Sequence, residues 1–158
     1  MDWSEPSLAP FVPSPLEVVR AMLSVAKLAR GETLFDLGCG DGRILIMAAK
    51  EFGAKAVGIE LNETRVKEAR EKISDLRLDD QVQIIQGNIL EADIGSADVV
   101  TLYLTTSANE KLKPKMEKEL RAGTRIVSHD FRIPGWDAAT TEQIVDYTEI
   151  HFIHLYIR

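Results

Sequence analysis

At 158 residues the chain has the length of one domain with a sizeable core, and 45% hydrophobic against 28% charged residues excludes both a disordered and a membrane class. A formal charge of −6 with no basic run disfavours general nucleic-acid affinity and suits a lysine-rich protein partner. Its single cysteine, Cys39, excludes an intramolecular disulfide or a cysteine-bound metal cluster and points to a reducing, cytoplasmic home.

Residues 1–13 carry Pro6, Pro10 and Pro13 with Trp3, Phe11 and Val12 between them, which reads as a flexible, extended arm. This acidic, proline-broken start lacks the basic and apolar regions of a secretory signal. No apolar run approaches the ~20 residues needed to span a bilayer. Residues 14–158 read as a single domain. Ser14, Pro15 and Glu17 have the spacing of a capping box, opening a helix to about Arg30 with Gly31 as its stop. Val19, Met22, Leu23 and Ala26 share one face of that helix.

Residues 33–43, TLFDLGCGDGR, come next: a buried strand to Leu37, glycines at 38, 40 and 42, and a helix from Ile44 to Phe52 stopped by Gly53. A second strand spans Ala56 to Glu60. Asn62 caps the following helix, whose expected buried stripe is Val66, Ala69, Ile73 and Leu76. Strand three runs from Val82 to Gln86 and strand four from Ala97 to Leu104, a run suited to burial on both faces. Ser107 to Leu120 reads as helical, split into two pieces by Pro114. Strand five, Thr124 to His129, precedes a loop with Pro134, Gly135 and Trp136. Two alternating strands, Thr140 to Asp146 and His151 to Ile157, close the chain as an antiparallel pair. The expected fold is α/β: a Rossmann-like, doubly wound seven-stranded sheet, mostly parallel, with a C-terminal antiparallel hairpin.

In such sheets ligands bind at the carboxyl ends of the strands, where strand order reverses. The glycine turn is therefore the first place to look. A dinucleotide fingerprint needs its third glycine at position 43, which is Arg43, and no Lys-Ser or Lys-Thr pair is present to cradle a triphosphate. Asp36 at the strand end would repel a pyrophosphate and suit a cationic group. S-adenosyl-L-methionine, with adenosine, ammonium and sulfonium and no phosphate, fits that turn. Asp36, Gly38, Cys39 and Gly40 are accordingly placed against it. Glu60, 20 residues past the turn's Gly40, stands where an acid accepts hydrogen bonds from ribose hydroxyls; the alternative is an acid that only complements the next helix dipole. Leu61 would lie against adenine. Asn88, with Ile89 beside it, offers an amide to adenine or serves as a turn residue after Gly87. Cys39 sits where a small residue is required and is not expected to be a nucleophile. His129 and Asp130 read as a polar dyad or as edge-of-site residues. His151 and His154 fall on opposite faces of the last strand, so no metal pair, and no bound metal, is expected.

With these residues assembled, the chain resembles the class I, seven-strand S-adenosylmethionine-dependent methyltransferases, on the DLGCGDGR turn, Glu60 and the closing hairpin. A narrower likeness rests on Phe11 to Pro15 (FVPSP), Val18 to Leu23 (VVRAML), Asn109 to Lys115 (NEKLKPK) and Gly123 to His129 (GTRIVSH). These look like the small archaeal broad-specificity protein lysine methyltransferases, whose mitochondrial relatives modify the ATP synthase c subunit and the adenine nucleotide translocase. The resemblance implies methylation of lysine ε-amines on a minimal core, S-adenosyl-L-methionine as cofactor, protein substrates and an archaeal source. Tyr103 to Thr106 (YLTT) departs from the Asn/Asp-Pro-Pro-Tyr type of motif used on planar amines, which argues against adenine, cytosine or glutamine as acceptor and leaves lysine. Tyr103 is the first candidate for lining a lysine channel. Phe11, Phe131 and Trp136 are further candidates, each with plain packing as the alternative. Methylation of a small molecule or of RNA, and a non-catalytic cofactor-binding protein, stay open as alternatives; a monomer is the default.

Overall fold

A computed structural model describes residues 12–158; residues 1–11, including Phe11, lie outside the described part. The chain runs α1 (Leu16–Val25), β1 (Thr33–Leu37), α2 (Arg43–Phe52), β2 (Lys55–Glu60), α3 (Glu63–Asp75), β3 (Val82–Gln86), β4 (Val99–Leu102), α4 (Thr106–Glu119), β5 (Arg125–His129), β6 (Thr140–Asp146) and β7 (Glu149–Ile157). The strands form one sheet in the order β3-β2-β1-β4-β5-β7-β6. The pairs among β1 to β5 are parallel, and β7 is antiparallel to both β5 and β6. This is the seven-stranded, mostly parallel sheet with an antiparallel hairpin that the sequence predicts. Strand order reverses between β1 and β4, so their carboxyl ends flank the crevice.

The core lies on both faces of the sheet. Val18, Met22, Leu23, Leu45, Ala48, Val66, Ala69 and Ile73 from α1, α2 and α3 close one face; Leu112 and Met116 of α4 pack with Leu37, Val100, Leu102 and Ile126 on the other. Val99 to Leu102 are fully buried, as a central parallel strand requires.

Four local expectations are corrected. Ser14 makes no capping bond to α1, whose N-cap is Pro15; its hydroxyl is taken by a distant histidine, described below. Helix α1 ends at Val25 instead of near Arg30. It closes with Lys27 N–H on Ser24 O and Leu28 N–H on Leu23 O, with Lys27 in the left-handed region at φ 54°. Helix α3 closes the same way through Arg77, at φ 57°, which leaves Leu76 exposed instead of in the buried stripe. These are Schellman closures in which Leu28 and Leu78 are buried just past the turn, and that apolar contact takes the place of the usual glycine signal. Finally, α4 passes through Pro114 unbroken. The carbonyl that loses a donor there belongs to Glu110, which faces solvent, while Leu112 and Met116 hold the helix to the sheet.

Candidate active site at the carboxyl ends of the strands

The glycine turn is held by main-chain bonds. Gly38 and Cys39 donate to Ile59 O at 2.9 and 3.0 Å, tying the end of β1 to the end of β2. Gly38 has φ +85°, and a Cβ there would stand 3.2 Å from the Leu104 side chain. Gly58 makes the room behind: a Cβ on it would fall 2.6 Å from Cys39 Sγ and 2.5 Å from Leu45 Cδ1. Cys39 is buried, and its thiol is pushed up by that burial and by the Asp36 carboxyl nearby. A thiol kept protonated is no nucleophile, as expected.

Glu60 is clamped at the end of β2. Oε1 accepts from Gly40 N–H at 2.9 Å and Oε2 from Asn62 N–H at 2.8 Å. One bond to each oxygen leaves each a further lone-pair direction. Asn62 also caps α3 through Arg65 N–H at 3.0 Å, as its sequence position predicts. Leu61 is half-buried between them. Gly87 N–H reaches Glu60 O at 2.9 Å, bringing the turn after β3 to the same place. Within that turn Asn88 Oδ1 accepts from Leu90 N–H at 2.8 Å, so its carbonyl oxygen is committed to the turn and its amino group is the part left to address a base. Ile89 is buried on the α4 side of the sheet.

Asp36 is buried and accepts a hydrogen bond from the Thr101 hydroxyl at 2.9 Å. Burial pushes its carboxyl up to about 7; the Thr101 bond opposes this, and the negative charges of Glu60 and Asp41 add to it. Asp41 pairs with Arg43 at 2.7 Å, and Arg43 Nη1 donates to Ser14 O at 3.0 Å, drawing the segment before α1 onto the turn. The turn thus gathers three carboxylates, one of them paired with Arg43.

Across the crevice, the end of β4 faces an aromatic and histidine cluster. Tyr103 stacks on His129 with centroids 3.8 Å apart and on Phe131 at 6.3 Å. Burial raises the Tyr103 phenol pKa, and the negative charges of Asp130 and Glu149 raise it further. His129 bonds to Ser14 Oγ through Nδ1 and to His151 Nδ1 through Nε2, each at 2.8 Å. Asp130, at φ 62°, accepts from Phe152 N–H at 2.9 Å. Asn109 of α4 is buried and donates to the carbonyls of Phe131 and Arg132 at 3.2 and 3.1 Å, fixing the loop that carries Phe131.

The structure brings Tyr103 and Phe131 together and packs Trp136 apart from them. Trp136 packs on Tyr156 at 5.9 Å, with Arg158 over its ring, and these neighbours pair with the amino end of β5. His151 and His154 point to opposite faces, as predicted: one meets His129, the other Thr141. What the sequence reading missed is the His129–His151 contact and the part Asn109 plays. The first depends on cross-strand register, in which His129 pairs with Ile153 and His151 lies two residues on along the same face. His129, Asp130 and His151 have atoms within 4.8 Å of one another that could ligate a metal. Within that group His129 Nε2 and His151 Nδ1 stand 2.8 Å apart.

Comparison with known proteins matches residues 36–140 to the ANTKMT methyltransferase domain. A protein-lysine N-methyltransferase of Saccharolobus islandicus is 48% identical over 149 residues, covering 94% of this chain and 92% of that protein. The mouse lysine N-methyltransferase of the ATP synthase c subunit is 32% identical over 85% of this chain, which spans only 55% of that longer protein. Among solved structures, an RNA methyltransferase of Salinibacter ruber in complex with S-adenosyl-L-homocysteine superposes with a TM-score of 0.86 at 42% identity, covering 92% and 93% of the two chains.

Proposed function

This chain belongs to the ANTKMT methyltransferase domain family, and from that premise we propose that it is an S-adenosyl-L-methionine-dependent methyltransferase acting on lysine ε-amines of proteins. The observation that carries this reading is 48% identity, over nearly the whole of both chains, to a protein-lysine N-methyltransferase. The donor set of the glycine turn fits the cofactor. Asp36 and Glu60 are acceptors suited to an ammonium and to ribose hydroxyls, and a pyrophosphate would be opposed by both carboxylates. Gly38, Cys39 and Gly40 would hold the donor through main chain, Leu61 and Ile89 would offer it apolar surface, and the Asn88 amino group would be the part available to its base.

The bound donor supplies an activated methyl, so the amine lone pair forms the N–C bond as the C–S bond breaks with its electron pair left on sulfur. The protein's own task is alignment, exclusion of water and removal of a proton. A free lysine has a pKa of about 10.4, so its ammonium must be deprotonated before it attacks. Tyr103 and Phe131 give the alkyl stem an aromatic wall, and Asp130 and Glu149 set a negative potential around it. That potential favours an ammonium and opposes a phosphate chain.

A second reading, methylation of RNA, is favoured by the name of the Salinibacter ruber protein. The acidic surroundings of Tyr103 and the formal charge of −6 argue against it here. Incubation with methyl-labelled cofactor and a cell lysate, followed by separation of protein, RNA and small solutes, tests the choice. Label in protein that resolves to methyl-lysine is the expected result; label in RNA overturns the reading.

The remaining expectations belong to the same proposal. No helix among the described residues is long and apolar enough to cross a membrane. A cytoplasmic enzyme of archaeal type is supported by the lone cysteine and the relative from Saccharolobus, with a monomer as the default. Residues 1–13, with Phe11, are assigned a part in turnover. Their removal should lower turnover while the domain keeps its melting temperature; full activity in the truncated enzyme argues the arm away.

A further inference from the structure

We propose that Ser14, His129 and His151 form a proton conduit that carries the proton of the incoming lysine ammonium from the crevice to Glu149 and solvent, a role that rests on the lysine reading above. The three groups make an unbroken line. Ser14 Oγ is 2.8 Å from His129 Nδ1, His129 Nε2 is 2.8 Å from His151 Nδ1, and His151 Nε2 is 3.5 Å from the Glu149 carboxylate. Ser14, His129 and His151 are only 3%, 0% and 4% exposed, whereas the Glu149 side chain is 75% exposed. The line thus begins inside and ends at water. Its inner end is tied to the site by neighbours: the Ser14 main-chain oxygen accepts from Arg43, the first residue after the glycine turn, and Tyr103 stacks on the His129 ring.

Burying three polar side chains is costly unless each is bonded, and an apolar filling would be at least as stable. One atom remains unbonded. His151 Nε2 is buried without a hydrogen-bond partner, aimed at the exposed Glu149. A polarity satisfying every other atom has Ser14 donating to His129 Nδ1, His129 Nε2–H donating to His151 Nδ1, and the last proton on His151 Nε2 facing Glu149. Burial depresses His129 to about 4, outweighing the opposing pull of the Asp130 carboxylate, and His151 lowers it further, so the ring rests neutral at pH 7. The charged groups facing this pair are Asp130, with Oδ2 3.6 Å from His129 Nε2 and 3.9 Å from His151 Nδ1, Glu149 at His151 Nε2, and Glu17 of α1, which sits beside Asp146 and also feels His151.

The proton balance closes. The ammonium gives a proton to Ser14 Oγ as the Ser14 proton passes to His129 Nδ1; the His129 Nε2 proton moves to His151 Nδ1, and the His151 Nε2 proton leaves to Glu149 or water. One proton has left the amine and one has reached solvent. Between turnovers, with water in the open crevice, a proton entering at His151 and leaving at Ser14 restores the polarity.

The test is the pH profile of kcat on a lysine peptide for the wild type, Ser14→Ala and His151→Gln. Glutamine keeps a polar group in the line but cannot relay. Loss of general acid–base help is typically worth ~100-fold or more, so kcat near pH 7 should fall by at least about tenfold. It should recover towards the wild type as pH approaches the lysine pKa of about 10.4, where the amine arrives neutral. Cofactor affinity by calorimetry should not change. A merely structural role lowers kcat by the same factor at every pH, and parallel profiles would overturn the proposal. Should a variant fail to fold, the wild type alone decides. A solvent isotope effect on kcat at pH 7 that vanishes near pH 10 supports the conduit, and one absent at both pH values removes it. Stoichiometric metal in the purified protein would assign these histidines to a metal and overturn the conduit. Wild-type enzyme that labels RNA and no lysine peptide at any pH would overturn the lysine reading and the conduit with it, whereas active wild type with parallel variant profiles removes the conduit alone.

Discussion

The two walls of the crevice are built by different means. On the β1–β2 side, main-chain groups do the positioning: Ile59 O takes two N–H groups of the glycine turn, and Glu60 is aimed by the N–H groups of Gly40 and Asn62. On the β4–β5 side, side chains from distant segments hold one another: Ser14 with His129, His129 with His151, Tyr103 on His129, and Asn109 under Phe131. A wall made of backbone recognises a fixed small molecule and is set by local sequence. A wall made of interlocked side chains can be altered piece by piece, which would suit a side that meets variable acceptors.

The sharpest way to break this contrast is at Glu60. With two fixed N–H donors on its outer edge, its remaining lone pairs are aimed as a unit, so Glu60→Ala should remove cofactor binding by about 100-fold or more, with Glu60→Gln milder. The scale follows from charge-assisted hydrogen bonds worth roughly 1.5–3 kcal/mol each. Calorimetry with S-adenosyl-L-homocysteine checks it, and an unchanged affinity rules out the ribose role. The matching change on the other wall is Tyr103→Ala. It should leave cofactor affinity alone and lower kcat/KM for a lysine peptide by about 10–100-fold, the range expected when one aromatic wall of the acceptor channel is lost. Equal losses of cofactor affinity and of peptide turnover would mean that the two walls are not separable.

The same contrast explains what the sequence made legible. The glycine turn and the Asn62 cap are each read from a few neighbouring residues, and both form where the sequence puts them. Ser14 illustrates the opposite. Its local pattern is a sound capping box, yet its hydroxyl bonds to a residue 115 positions away, a competition that no local pattern reveals. His151 likewise meets His129 only because β7 returns antiparallel in one register. Lys27 and Arg77 close their helices in the left-handed region without glycine, because the Leu28 and Leu78 contacts outweigh the modest local strain. Trp136 is an aromatic residue in a loop just after strand five, but the chain direction past Ile133 carries it to the far end of that strand.

A smaller effect tests how rigid the backbone wall is. Gly58 is in an ordinary strand conformation, so Gly58→Ala adds only a Cβ that collides with Cys39 and Leu45. Overpacking of this kind costs about 1–3 kcal/mol. Because Cys39 sits inside the glycine turn, cofactor affinity should weaken as well. Adding Cys39→Ala removes the sulfur and should restore part of both losses in a double-mutant cycle. Additive losses would show that the turn does not lean on Gly58.

The last expected effect concerns Asp36, whose carboxyl is raised by burial to about 7 in the folded chain from an ordinary value near 3.8. The raised folded pKa means that the unfolded chain ionises first. The contribution of Asp36 to stability is therefore greatest below about pH 4, declines as pH rises from there to about 7, and is flat above. Denaturant unfolding at pH 5 and pH 8 should show this decline in the wild type and a weaker one in Asp36→Asn. Binding of a donor whose ammonium faces Asp36 favours the carboxylate and should release a fraction of a proton near pH 6.5. Calorimetry in buffers of different ionisation enthalpy measures that release directly. Proton release present in the wild type and absent in Asp36→Asn would place the ammonium at this carboxyl. Release that persists in the variant would move it to another group of the turn, with Asp41 already held in its ionised form by Arg43.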